Sequence, residues 1–169
     1  NCPAAQAGAK QIVGDFKDEF AILKLAEQSD IITYEIESGN TDVLSKLKAE
    51  IEPSPSTLGI IQDKLSQKKF LSENGLPVSQ FYEISSLDDL REKIKELGLP
   101  VLLKSRRDAY DGRGNFKISS PNEVEKAYQH FGGKNLMVEK FVDYKMEVSV
   151  IAARNTKGEI TAYPLVENI

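Results

Sequence analysis

The stretch VLLKSRRDAYDGRGN, residues 101–115, changes character after its third residue. The three apolar residues predict a buried strand, and Lys104 closes it. The aliphatic part of a lysine can lie along apolar surface and present its ammonium group to a phosphate oxygen. The alternative is an exposed lysine that points into solvent. The residues after Lys104 favour the first interpretation.

The segment from Arg106 to Gly114 carries three arginines and two glycines. Glycine permits positive φ angles and a close approach of the backbone to a ligand, so the amides of this segment can surround a phosphate. The arginines add charge-assisted donors. The alternative is a hairpin turn, because Asp-Gly between two strands is typical of one. We interpret the segment as a phosphate-binding loop, with Lys104 and Arg113 as candidate catalytic residues.

The elements around this loop can be predicted from their caps. Ser86 caps a helix that Gly98 ends, and Pro100 leads into the strand that Lys104 closes. The further predicted elements are strands at 116–118, 136–139 and 145–154, a helix that Ser120 begins with a capping box, and a hairpin from the last strand through 155–158 to 159–166.

The first 55 residues alternate between strands and helices as half of an open parallel sheet does. Pro53 and Pro55 end this block, because neither proline continues a helix or a central strand. A single long helix is predicted from Ser56 to about Asn74, and Gly75 stops it. The other predicted elements are strands at 11–13, 30–35 and 78–84 and helices at 18–27 and 41–47.

The order of these elements predicts two small α+β lobes that face each other, with a nucleotide between them. Extended backbone at Glu139-Lys140-Phe141-Val142 can offer an N–H and a C=O to the edge of adenine, or it is an ordinary strand end. Glu147 can accept hydrogen bonds from ribose hydroxyls, or it lies on a solvated face. Lys64, on the long helix, reaches a cleft or lies on the surface.

Composition limits the classes of function. The chain has 169 residues, a net charge of −4 and a pI of about 5.2, and it has no run of Lys or Arg typical of nucleic-acid binding. No apolar stretch approaches the roughly 20 residues that span a bilayer. One cysteine, Cys2, and one histidine, His130, favour a cytosolic protein without a soft-metal site, so any metal is expected to be Mg²⁺ held by oxygens.

Taken in order, eight segments resemble the ATP-grasp enzymes, and among them the N5-carboxyaminoimidazole ribonucleotide synthases. They cover nearly the whole chain. The resemblance implies a partial ATP-grasp fold, α/β and α+β, preceded by the end of an open α/β pre-ATP-grasp domain. The segments are NCPAAQ, GDFKDE, ITYEIE, PSPSTLGIIQDKLSQKKFL, PVLLKSRRDAYDGRGN, VEKFV, EVSVIAAR and YPLVEN.

The resemblance implies a ligase of purine biosynthesis. In its reaction ATP phosphorylates bicarbonate, and the carboxyphosphate gives its CO₂ unit to the amine of 5-aminoimidazole ribonucleotide. Lys64 and Lys104 would contact ATP, and Glu147 would bind its ribose. The adenine-reading hinge would be Glu139, Lys140, Phe141 and Val142. The phosphate loop would be Ala109, Tyr110, Asp111, Gly112, Arg113, Gly114 and Asn115, of which Tyr110, Asp111 and Arg113 would also meet the ribonucleotide.

The resemblance also implies domain boundaries. Residues 1–55 would be the C-terminal part of the pre-ATP-grasp domain, 56–138 the linker helix and small lobe, and 139–169 the start of the large lobe. We expect an inactive fragment whose Mg²⁺ ligands lie outside this chain, and a parent that can form a homodimer. Ala109 and Ser38-Gly39-Asn40 depart from the family pattern. The alternatives are an ATP-grasp ligase with another acceptor and a non-catalytic nucleotide-binding module.

Overall fold

The structure, a computed structural model, describes residues 2–107 and 114–169. Its first part packs short elements around a core of Ile22, Ile32, Val43, Leu44, Ile51 and Leu58. These elements are α1 (Pro3–Gln6), α2 (Glu19–Ala26), β1 (Ile31–Ile32), α3 (Thr41–Leu44) and β2 (Glu50–Ile51). Strands β1 and β2 pair in parallel, as the sequence pattern of an open α/β sheet requires.

Three predictions for this part need correction. Residues 11–13 form no strand, the strand predicted at 30–35 is reduced to β1, and the helix predicted at 41–47 ends at Leu44. Strand β2 was not predicted, because its two residues are too few to show the alternation by which a strand is recognised. The helix predicted at 18–27 is confirmed as α2.

The single long helix predicted from Ser56 is wrong. Two helices occupy the region, α4 (Pro55–Ile61) and α5 (Lys64–Glu73). Asp63 separates them, because its backbone is extended at φ −121° and its side chain caps the second helix. The cap of α4 is Ser54 and not Ser56. The change of direction at Asp63 places the first turn of α5 beside the loop that follows Lys104, where the backbone N–H of Lys64 donates to the carbonyl of Arg106.

A four-stranded antiparallel sheet forms the centre of the molecule, and its strand order is β3-β6-β4-β5. The caps predicted from sequence for the helices beside this sheet are confirmed. Ser86 accepts from the N–H of Asp89, Gly98 ends its helix at φ +68°, and Ser120 and Glu123 form the capping box. In chain order the elements are β3 (Phe81–Ile84), α6 (Leu87–Leu97), β4 (Val101–Ser105), β5 (Asn115–Ile118), a 3₁₀ turn (Pro121–Glu123), α7 (Val124–His130) and β6 (Leu136–Lys140).

The two faces of this sheet differ in chemistry because side chains alternate along each strand. One face packs against α6 and α7 and contributes Val101, Leu103, Ile118, Leu136 and Val138 to the core. The intervening residues of β4 and β6 therefore lie on the other face. Lys104 and Glu139 are among them, so this second face carries the charged groups.

Residues 142–169 form two short ladders. Strands β7 (Val148–Ser149) and β10 (Val166–Glu167) pair, as do β8 (Ala152–Arg154) and β9 (Ile160–Ala162), both antiparallel. The predicted hairpin is confirmed in the second pair, but the strand predicted at 145–154 is divided into β7 and β8. No helix in the part of the chain that the structure describes is long and apolar enough to cross a membrane.

Candidate nucleotide site

A buried carboxylate lies at the centre of the charged sheet face. Glu139, on β6, is 6% exposed. Its Oε1 is 2.6 Å from Nζ of Lys104 on β4, and its Oε2 is 2.7 Å from Nζ of Lys68 on α5. Ser79 donates its hydroxyl to the same Oε2 at 3.1 Å. The carboxylate therefore holds two lysines from two different elements beside one another.

The charge state of Glu139 follows from these contacts. Burial alone would raise the pKa of Glu139, but hydrogen bonds from Lys104 and Lys68 outweigh it, so the pKa lies below its ordinary value. An ionised carboxylate accepts from both ammonium groups at neutral pH. We refer to Glu139, Lys104, Lys68 and Ser79 as the Glu139 cluster.

A second buried carboxylate lies where α5 begins. Asp63 is 2% exposed, and its Oδ1 accepts from the backbone N–H groups of Leu65 and Ser66, at 3.0 and 3.3 Å. The same carboxylate binds Arg106 through two bonds, Nε to Oδ1 at 3.1 Å and Nη2 to Oδ2 at 2.6 Å, and Arg107 through Nε at 3.3 Å. Burial would raise the pKa of Asp63, but the bonds from Arg106 lower it overall. We refer to Asp63, Arg106 and Arg107 as the Asp63 cluster.

Lys64 lies between the two clusters. It is the first residue of α5 and is half-buried, and its backbone N–H donates to the carbonyl of Arg106 at 2.9 Å. Burial lowers the pKa of Lys64, and the nearby charge of Lys104 lowers it further, against the opposing effect of Glu37. The two lysines predicted from sequence to contact a nucleotide are therefore close enough to repel one another.

A cleft of about 1040 Å³ opens between the N-terminal elements and the junction of α4 with α5. Its lining combines cations with carboxylates, which suits a ligand that carries both phosphate and hydroxyl or amine groups. The charged residues in the lining are Lys17, Glu35, Glu37, Lys64, Arg106 and Arg107.

The phosphate loop predicted from sequence falls largely outside the described residues, which end at 107 and resume at 114. Ala109, Tyr110, Asp111, Gly112 and Arg113 are in that gap. The two ends of the loop are described. Gly114 is buried and its carbonyl accepts from the N–H of Ser105 at 2.9 Å, while Asn115 pairs with Lys104 across β4 and β5.

The predicted hinge is described in full. Its first side chain, Glu139, binds lysines, and the ammonium group of Lys140 binds the carbonyls of Gly98 and Leu99 at 2.9 and 3.4 Å. Lys117 lies over the ring of Phe141, 3.8 Å from its centroid, and Val142 is exposed.

Glu147, predicted to bind ribose, is exposed in the last part of the chain. Its carboxylate accepts from the side chain of Asn168 at 3.5 Å. No described contact brings it to either carboxylate cluster.

Sequence reasoning missed several members of the two clusters. Lys68, Asp63 and Ser79 were not singled out as site residues. Each is joined to a partner far away in sequence, 43 residues for Asp63 and Arg106 and 60 residues for Ser79 and Glu139. The available signal was Asp63 itself, since Asp is one of the residues preferred at the N-cap of a helix.

Two family models match this chain and identify the class of protein to which it belongs. A family model described as "ATP-grasp domain" matches residues 69–169, and one described as "Ribonucleotide synthetase preATP-grasp domain" matches residues 1–62. The chain belongs to the ATP-grasp family.

Particular relatives are similar over the whole chain. A phosphoribosylaminoimidazole carboxylase of Schizosaccharomyces pombe is 38% identical over 100% of this chain and 31% of its own length. An N5-carboxyaminoimidazole ribonucleotide synthase of Bacillus subtilis is 37% identical over 99% of this chain and 44% of its own length. The chain thus spans about a third to just under half of the length of such relatives.

Solved structures agree with these matches. A carboxyaminoimidazole ribonucleotide synthase of Aspergillus clavatus in complex with ATP has a TM-score of 0.93 and 35% identity, over 100% of this chain and 46% of that one. A synthase of the same organism in complex with ADP and 5-aminoimidazole ribonucleotide has a TM-score of 0.91 and 32% identity, over 100% of this chain and 45% of that one.

Proposed function

We propose that this chain supplies part of the ATP site of a ligase that carboxylates 5-aminoimidazole ribonucleotide. ATP would phosphorylate bicarbonate, and the carboxyphosphate would transfer its CO₂ unit to the amine of the ribonucleotide with release of phosphate. The Glu139 cluster, on the charged face of the sheet, is the observation that carries the proposal. The end-to-end similarity to synthases that bind ATP supports it.

The charge balance of the site favours a polyanion. Five cations, Lys64, Lys68, Lys104, Arg106 and Arg107, are held near four carboxylates, Glu37, Asp63, Glu83 and Glu139. The excess of positive charge can bind the phosphates of ATP and stabilise charge that develops during phosphoryl transfer. The chemistry needs no protein nucleophile, because positioning and electrostatic stabilisation supply the rate.

At the adenine end, two backbone N–H groups of the predicted hinge already have hydrogen-bond partners within the protein. The N–H groups of Lys140 and Phe141 donate to the carbonyls of Gln80 and Pro100, at 2.9 and 3.3 Å, and are therefore occupied. We propose that Val142, which follows them and is exposed, offers the N–H that the edge of adenine requires. Glu147 would reach the ribose from the other lobe.

The cleft beside the Asp63 cluster is the proposed compartment for the ribonucleotide, whose phosphate and amine match its cations and carboxylates. Bicarbonate as co-substrate, a homodimeric parent and a cytosolic location remain part of the proposal, as does the domain division at 55 and 138. The nucleotide would bring Mg²⁺ with it. The described residues contain no group of three or more His, Cys, Asp or Glu side chains that could hold a metal ion.

The proposal predicts that Lys104→Met in the full-length protein lowers kcat/KM for ATP on the order of 100-fold, because one preorganised cation is removed from the phosphates. The assay is ADP release that depends on 5-aminoimidazole ribonucleotide and bicarbonate. Lys95→Met, an exposed lysine of α6 on the far side of the sheet, is the matched control and should leave the rate unchanged.

Two outcomes would contradict the proposal. Full activity of Lys104→Met would show that Lys104 does not bind the phosphates of ATP. ADP release that responds to a different acceptor, and not to the ribonucleotide, would keep the ATP chemistry and replace the proposed substrate.

A further inference from the structure

The Asp63 cluster connects the start of α5 to the end of β4. We propose that Asp63 is a positioning residue that, through Arg106, fixes Lys64 against Lys104 for binding the phosphates of a nucleotide. This inference rests on the proposed ATP site but not on the identity of the acceptor.

The first support is the number of bonds that one carboxylate makes. Asp63 accepts two backbone N–H groups of α5 and three N–H groups from Arg106 and Arg107. Among the described residues, Ser54 of α4 and Ser86 of α6 cap their own helices and have no cationic partner. Capping alone needs no charge, since Ser and Asn cap as well as Asp does. The three bonds from guanidinium groups show that the carboxylate of Asp63 also holds the arginines.

The second support is the backbone around Arg106. Its carbonyl accepts from the N–H of Lys64 at 2.9 Å, and its own N–H donates to the carbonyl of Asn135 at 2.8 Å. Arg106 thus lies in a chain of hydrogen bonds from α5 to the residue before β6. A planar guanidinium bound by two parallel bonds to Asp63 fixes both the distance and the orientation of this contact.

The third support is the unfavourable electrostatic interaction between Lys64 and Lys104. Burial lowers the pKa of Lys64, and the nearby charge of Lys104 lowers it as well. Holding the two lysines close together therefore benefits from a restraint on the first turn of α5. Asp63 and Arg106 provide that restraint before any ligand arrives, so that a phosphate meets two lysines already in place.

The test uses three single variants of the full-length protein and the double variant Asp63→Asn/Arg106→Lys. Asp63→Asn keeps the helix cap but removes the charge that binds the arginines. Arg106→Lys keeps the positive charge but loses the two parallel bonds, and it serves if Asp63→Asn fails to fold. Ser86→Ala removes a cap of the same kind, on α6, away from the site. ATP and adenosine affinities are measured by calorimetry, beside the melting temperature of each variant.

We expect Asp63→Asn and Arg106→Lys each to weaken ATP binding about tenfold, with adenosine binding unchanged, because only the phosphates lose preorganised partners. The double variant should bind ATP no more weakly than either single one, because both act through one contact. Ser86→Ala should lower the melting temperature without changing either affinity.

The inference is overturned if Asp63→Asn and Arg106→Lys lower the melting temperature and leave ATP affinity unchanged, as Ser86→Ala does. Its failure can be separated from that of the proposed function. Wild-type protein that binds ATP but does not carboxylate the ribonucleotide contradicts the function alone, and unchanged ATP affinity in the variants of an active carboxylase contradicts the inference alone. Absence of ATP binding in the wild type contradicts both.

Discussion

Glu139 and Asp63 are both buried carboxylates with two cationic partners each, but they differ in what they hold. The Glu139 cluster lies on the charged face of the sheet, and its lysines come from β4 and α5. The Asp63 cluster lies at the edge of the site, and its carboxylate is shared between arginines and the first turn of a helix. The first therefore presents cations to a ligand, while the second aligns the elements that carry them.

The comparison also separates two physical effects. Removing the charge of Glu139 leaves two largely buried lysines with no counter-charge between them. Removing the charge of Asp63 leaves Arg106 paired with Glu83 and Arg107 half in solvent. Damage to the first cluster should therefore be mainly electrostatic and large, and damage to the second should be smaller and mainly one of alignment.

The largest effect on stability is expected for Glu139→Gln. We expect it to lower the free energy of unfolding of the full-length protein by about 3 kcal/mol, because breaking a buried ion pair leaves unpaired charge. Asp63→Asn should cost clearly less. The measurement is chemical denaturation.

The control is Glu125→Gln, an exposed glutamate 3.9 Å from Arg91, for which the change should stay below about 0.5 kcal/mol. Equal losses for Glu139→Gln and Asp63→Asn would contradict the distinction between the clusters.

The contribution of Glu139 should also appear in the pH dependence of stability. The change in the free energy of unfolding with pH should be smaller than the effect of the Glu139→Gln substitution. The pKa of Glu139 in the folded protein lies below its ordinary value of 4.5. Its contribution is therefore complete above that value and is lost as the pH falls through the lower, folded-state pKa. The difference in stability between wild type and Glu139→Gln should narrow below pH 4.5, as measured by denaturation at a series of pH values. A difference that stays constant down to pH 3 would show that folding does not lower the pKa of Glu139.

The helix caps were predicted correctly from the sequence where the interacting residues lie within one helix turn of each other. The helix between Ser86 and Gly98 and the capping box at Ser120 have their partners within four residues. The long helix predicted from Ser56 failed because Asp63 reads equally well as a helix residue and as a cap. The side chain that decides between them, Arg106, lies 43 residues further along the chain.

The site was predictable in part for the same reason. Lys104 could be recognised from the apolar strand before it and the glycine-bearing segment after it. The carboxylate that holds it could not, because Glu139 looks like any residue at the end of a strand until β6 is placed beside β4. Lys68 was missed because only the packing of α5 against the sheet brings it to Glu139.

The most direct test of the central claim is the effect of Lys104→Met on the affinities for ATP and for adenosine in the full-length protein. If Lys104 binds phosphate, the variant should bind ATP about tenfold or more weakly, while its affinity for adenosine stays unchanged. Equal losses for both ligands, or no loss for either, would contradict the assignment of Lys104 to the phosphates.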